Sequence, residues 1–177
     1  MVNIPTIITF SRILLIPIFI LVVGTRPLLG TFVFAVASIT DLLDGYVARR
    51  SKQVTKLGIL LDPVADKLLV ISALVIFVDM EVVPAWIAIV IIVREFLVTG
   101  LRIAALSKDI VIPAEMGGKI KTTFQLTSIF ILLIDLSPSI NFDFLYDLGI
   151  VTLWIAMFIG IASGVQYLVQ FWRRLSL

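Results

Sequence analysis

The sequence predicts an all-α integral membrane protein of six transmembrane helices, with both termini on the cytoplasmic side. Three observations carry this. Hydrophobic residues make up 60% of the chain, mean hydropathy is +1.17, and charged residues are 15%, against roughly 25% in a soluble domain. Apolar runs close to the ~20 residues that cross a bilayer recur along the chain, separated by short polar breaks. The basic residues are also segregated. Arg49, Arg50, Lys52, Lys56, Lys108, Lys119, Lys121, Arg173 and Arg174 fall on the face that carries both termini. The opposite face has Arg26 as its only basic residue, beside Asp79, Glu81, Asp143 and Asp147. The positive-inside rule makes the basic face cytoplasmic.

Taken in order, the first helix is expected over about Ile4 to Val23. Pro5 sits in its first turn, where a missing N–H is no loss. Gly24-Thr25-Arg26-Pro27 is a break. A second helix runs from about Leu29 into Ala48, and the polar link Arg49 to Lys56 follows. The third helix begins between Thr55 and Pro63 and ends near Val78; Pro63 requires either a first-turn position or a local kink. Asp79, Glu81 and Pro84 mark a loop, and the fourth helix spans about Pro84 to Ala105. Ser107 to Gly118 is a polar connection. The fifth helix covers about Lys119 to Leu133, with Pro138 and Asn141 breaking the next loop. The sixth covers about Leu148 to Phe171. There is no internal repeat, and residues 1–177 read as a single membrane domain.

Composition also excludes several functions. With no cysteine, disulfides, thiolate metal sites and thiol nucleophiles are ruled out. With no histidine, any general base must be Asp, Glu, Lys, Tyr or solvent. The net charge is only +2, which gives no case for nucleic acid as a partner. The N-terminus lacks the basic n-region and small-residue cleavage site of a signal peptide.

The chemistry concentrates between Asp41 and Asp66, in DLLDGYVARRSKQVTKLGILLDPVAD. Asp41 and Asp44 are spaced i,i+3, and Asp62 and Asp66 i,i+4, so each pair shares a helix face. Carboxylates at a membrane boundary are costly without strong partners, and four together repel and take up protons. Hard divalent cations remove both problems, because they prefer carboxylate oxygens. The expectation is a metal site built by two facing helix ends at the membrane surface. Intramembrane carboxylates also mark ion pathways, so a cation transporter is a second reading of the acids alone. The paired broken helices of a transport site are not visible.

Written out, the stretch is D-x2-D-G-x2-A-R-x8-G-x3-D-x3-D, and it resembles the signature of the CDP-alcohol phosphotransferases, membrane enzymes of phospholipid synthesis. The resemblance implies a site for two Mg2+ or Mn2+ ions. Asp41, Asp44 and Asp62 would be metal ligands, and Asp66 the base for an incoming hydroxyl, a ligand, or both. It assigns Gly45, Ala48, Arg49 and Gly58 to the cytidine nucleotide. Small residues suit this role because a flat base and a pyrophosphate need close backbone approach, and Arg49 can pair with phosphate through two hydrogen bonds. The N-terminal run is similar to the family opening N-x-P-N-x-x-T-x-x-R. Asn3, Thr9 and Arg12 match, while Thr6 stands where the second Asn is expected. Asn3 and Thr9 join the nucleotide set. Arg12 either snorkels to the interface or meets the pyrophosphate or the acids. Family members are generally homodimers, so a homodimer is expected. Gly160-Ile-Ala-Ser-Gly164 reads either as internal helix packing or as a dimer face.

Arg94-Glu95, Leu101-Arg102, Ala114 and Gly118-Lys119-Ile120-Lys121-Thr122 resemble the branch whose acceptor is glycerol 3-phosphate. The implied reaction moves a phosphatidyl group from CDP-diacylglycerol, held in the lipid bilayer, to that acceptor. Other members use inositol phosphate or phosphatidylglycerol. An acceptor dianion beside so many carboxylates needs cations. An unpaired Arg at a helix centre costs about 2.5–3.5 kcal/mol on insertion scales, so Arg94 should face a polar cavity or pair with an acid on another helix. Arg102 is about 80° round the same helix, so both can border one cavity. Lys119 and Lys121 are about 200° apart, so only one points inward. Lys121 is favoured, because it shares a face with Gly118, Thr122 and Gln125.

Overall fold

The computed structural model describes the backbone of residues 4–51, 56–106, 116–140 and 142–175, and the side chains of 11, 13–40, 67–105, 116–140 and 142–174. All the elements are helices: α1 (Ile4–Val23), α2 (Pro27–Ser51), α3 (Lys56–Asp79), α4 (Ala85–Leu106), α5 (Met116–Asp135) and α6 (Leu145–Leu175). The six expected helices are present in order. Their ends differ by a few residues, where polar side chains continue a helix that an apolar count would stop. Thus α2 runs on to Ser51, and α5 begins at Met116, ahead of its two glycines. Because α3 starts at Lys56, Pro63 falls beyond the first turn. Pro17 lies inside α1, where it removes the N–H that would reach the Ile13 carbonyl.

Successive helices meet through tight turns. After α1, the Thr25 and Arg26 amides both donate to the Val22 carbonyl, at 3.2 and 2.8 Å. A Cβ on Gly30 would lie 2.9 Å from the Val23 Cα, so only glycine lets α2 return this closely on α1. The end of α3 closes as a Schellman motif. The Val82 amide donates to Phe77 O at 2.8 Å and the Glu81 amide to Val78 O at 3.1 Å. Glu81 has φ 58°, the left-handed conformation that this motif usually gives to glycine. Replacing Glu81 by Gly relieves that strain, and thermal unfolding should show a gain of about 0.5–1 kcal/mol. A lower midpoint would mean that the Glu81 side chain contributes more than its backbone costs.

The bundle is dry at one end and polar at the other. The apolar core joins the C-terminal halves of α1, α3 and α5 to the N-terminal halves of α2, α4 and α6, through Phe19, Phe34, Leu74, Phe77, Ile129, Leu132 and Leu153. Phe34 meets Phe19 at 5.6 Å and Phe130 edge-on at 5.1 Å. Between α5 and α6, a Cβ on Gly149 would come within 2.6 Å of the Leu132 side chain. Ser128 Oγ donates to the Gly149 carbonyl there at 2.7 Å. The turns α1–α2, α3–α4 and α5–α6 lie at this dry end. The opposite end carries the C-terminal end of α2, the start of α3 and all the charged side chains of α4.

Large apolar side chains also cover the outside, with Leu21 76%, Trp172 69% and Phe32 64% exposed. Among the described residues, one helix is long and apolar enough to cross a membrane by length and composition, over Leu145–Arg174. The same test fails on α4 and α5 for a physical reason. Arg94, Glu95 and Arg102 interrupt one, and Lys119 and Lys121 the other.

Candidate active site

At the polar end α4 contributes Arg94, Glu95 and Arg102. Glu95 is the only acid on α4 and is 8% exposed. It is fully partnered: Lys67 Nζ from α3 donates to Oε2 at 2.7 Å, and Arg94 Nη1 to Oε1 at 3.0 Å. Lys121 Nζ from α5 also donates to Oε1. One carboxylate therefore ties α3, α4 and α5 together, as burial of a charge requires.

Arg94 extends the network to α6. Its Nε donates to the Gly160 carbonyl at 2.9 Å and its Nη2 to Ser163 Oγ at 2.7 Å. Cβ atoms built on Gly160 and Gly164 would touch the Arg94 side chain at 3.5–3.8 Å. The G-x-x-x-G stripe thus forms a slot for the arginine stem inside the protomer. Lys121 is 4% exposed, whereas Lys119 is exposed; the two lysines divide as their helical spacing requires, but it is Lys119, and not the favoured Lys121, that borders the large cavity.

These groups border a cavity of about 690 Å3. Among the described residues, Lys67, Arg94, Arg102 and Lys119 bring four cations to its wall, against the single carboxylate of Glu95. Tyr167 from α6 completes it and lies under Arg102, whose guanidinium carbon is 6.0 Å from the ring centroid, within cation–π reach. A neighbouring crevice of about 230 Å3 shares Lys67 and Glu95 and reaches Lys121 and Gln125. The Gln125 Nε2 is buried there without a hydrogen-bond partner among the described residues.

Of the residues singled out in sequence, Arg94, Arg102 and Lys119 come together on the large cavity, and Lys121 sits behind it on Glu95. Asp41, Asp44, Gly45, Ala48 and Arg49 lie in α2, Gly58, Asp62 and Asp66 in α3, and Thr9 and Arg12 in α1. Their side chains, and Asn3 altogether, lie outside the described residues. Helices α2 and α3 pack against each other, so the two aspartate pairs ride on neighbouring helices. Lys67 and Glu95 were not given roles from sequence. The signal was present: Lys67 directly follows Asp66, and a lone acid within an apolar helix requires a cationic partner.

A helical bundle with a cationic cavity beside an aspartate-bearing helix pair fits a transferase acting on phosphates. The chain belongs to the CDP-alcohol phosphatidyltransferase family, whose family model matches residues 2–162. It is 42% identical to the CDP-diacylglycerol–glycerol-3-phosphate 3-phosphatidyltransferase of Bacillus subtilis, over 99% of this chain and 98% of that one. Proteins of the same name from Rickettsia bellii and Haemophilus influenzae are 37% and 38% identical, over 93% and 94% of this chain and 93% and 91% of theirs. The chain is therefore an enzyme of the phosphatidyltransferase class.

Proposed function

We propose that this enzyme transfers the phosphatidyl group of CDP-diacylglycerol to glycerol 3-phosphate, yielding phosphatidylglycerol phosphate and CMP in a metal-dependent reaction. The observation that supports glycerol 3-phosphate is the cavity wall of Lys67, Arg94, Arg102 and Lys119. A phosphate monoester carries about two negative charges near neutral pH, and these cations match it. The acceptor's primary hydroxyl attacks the β-phosphorus of the donor. A new P–O bond forms, the bond to CMP breaks, and the hydroxyl proton passes to Asp66 or solvent. Asp41, Asp44, Asp62 and Asp66 supply oxygen donors of the kind hard divalent cations prefer. When bound, such cations neutralise the donor's phosphates and stabilise the attacking and leaving oxygens. In this reading Gly45, Ala48, Arg49, Gly58, Asn3 and Thr9 hold the cytidine nucleotide.

Placing all six helices across a bilayer, with the termini and the aspartates on the cytoplasmic side, belongs to the same proposal. It is supported by the basic residues gathered at the polar end and by the apolar exterior. The proposed unit is a homodimer, which cross-linking in native membranes would reveal. Purified protein given CDP-diacylglycerol should turn over glycerol 3-phosphate, and not inositol phosphate or phosphatidylglycerol. Arg102→Ala and Lys119→Ala should each raise the acceptor KM about tenfold or more, with donor binding near normal. Wild-type kinetics in both variants would place the acceptor phosphate elsewhere.

A further inference from the structure

Glu95 has no part in the reaction as described, yet its carboxylate gathers Lys67, Arg94 and Lys121 from three helices. A negative charge in the wall of an anion cavity lowers anion affinity. A glutamine there would bind phosphate better, so Glu95 serves some other purpose. Its three partners are not equivalent. Arg94 is already held by Gly160 and Ser163 on α6, and Lys121 is buried. Lys67 is the one whose side chain stays partly open, at 24% exposure, and it lines both cavities. An ammonium on a flexible four-carbon stem takes many rotamers unless something fixes it.

We infer that Glu95 is a positioning residue that holds the Lys67 ammonium for the acceptor phosphate, giving up anion affinity for a fixed cation. This rests on the reading of the large cavity as the acceptor site. Lys67 is then the inner phosphate contact, one residue from Asp66 on the same helix. Arg102 and Lys119 are the outer contacts, and Arg94 and Lys121 form the wall behind Glu95.

The test compares wild type, Glu95→Gln, Lys67→Met and Arg102→Ala as full-length protein in detergent. Binding of inorganic phosphate is measured by calorimetry in EDTA, and turnover of CDP-diacylglycerol with glycerol 3-phosphate is measured with metal present. Glu95→Gln should bind phosphate more tightly, on the order of tenfold, because one negative charge leaves the wall. Its kcat should fall on the order of tenfold or more, because Lys67 is no longer held in place. A merely structural role would weaken both. Lys67→Met should lose kcat similarly while binding phosphate more weakly, and it keeps the proposal testable if Glu95→Gln fails to fold. Phosphate binding in Glu95→Gln that is no tighter than wild type, or wild-type kcat in either variant, overturns the proposal. If wild type binds no phosphate, or Arg102→Ala leaves binding intact, the acceptor reading itself falls and takes the proposal with it. If Arg102→Ala abolishes binding and Glu95→Gln leaves it unchanged, only the role of Glu95 falls.

Discussion

Turnover should stop when divalent cations are chelated, and should return when magnesium or manganese is added back. This is the largest effect expected, on the order of a thousandfold or more. No histidine or cysteine exists in the chain, so in the proposed reaction neutralising the donor's phosphates would fall to cations held by the aspartates and to basic side chains. Calcium should restore little, because its larger radius and looser coordination suit a compact two-cation site poorly. Asp41→Asn and Asp62→Asn should lower metal affinity together with rate. Asp66→Asn should lower mainly the rate, with donor binding retained, if its carboxylate takes the hydroxyl proton. Full turnover in excess EDTA would remove the metal from the mechanism. Normal turnover in Asp66→Asn would pass the proton to solvent.

Arg94→Ala should be the most damaging change among the described side chains. It deletes three hydrogen bonds to partners on α4 and α6, at 2.7–3.0 Å, and empties the slot against Gly160 and Gly164. Glu95 keeps Lys67 and Lys121, so its charge is not orphaned. The expected loss is about 2–3 kcal/mol of stability, read as a lower unfolding midpoint in detergent, and use of glycerol 3-phosphate should fall with it. Arg94→Lys should not rescue either property, since one ammonium cannot serve acceptors arrayed around a planar guanidinium. Arg102→Ala, at an exposed position, should leave stability near wild type while weakening acceptor use. An unchanged midpoint in Arg94→Ala would show that α4 and α6 are held by apolar contact alone.

The number and order of the helices were legible in the sequence, because each apolar run near membrane length is bounded by Pro, Gly or clustered charge. Their exact ends were not. Arg49 to Ser51 look like a linker by polarity, yet extend α2, because nothing in those residues forbids another turn. The cationic cavity was partly legible. The mid-helix position of Arg94 required a polar environment, and angular spacing separated Lys119 from Lys121. The function of each lysine was harder to read. Spacing shows which one turns inward, but not that inward means a buried bond to Glu95, a residue 26 positions away. Arg94 borders a cavity and also pairs with an acid, but that acid is its own α4 neighbour Glu95 and not one on another helix as the alternative had it. Gly160 and Gly164 of α6 could be read as small residues but not assigned a neighbour, since their contact depends on how α6 sits beside α4.

The distance along the chain between Arg94 and its α6 partners has a consequence for biogenesis. Gly160 and Ser163 lie 66 and 69 residues downstream, so they are made after α1 to α5. Until α6 emerges, two of the three hydrogen bonds of the Arg94 guanidinium have no acceptor, and the fourth helix remains incompletely hydrogen-bonded among its neighbours. Helix α6 therefore acts as a latch: the polar half of the molecule matures only once that helix has been delivered, and a product ending before it cannot complete the network.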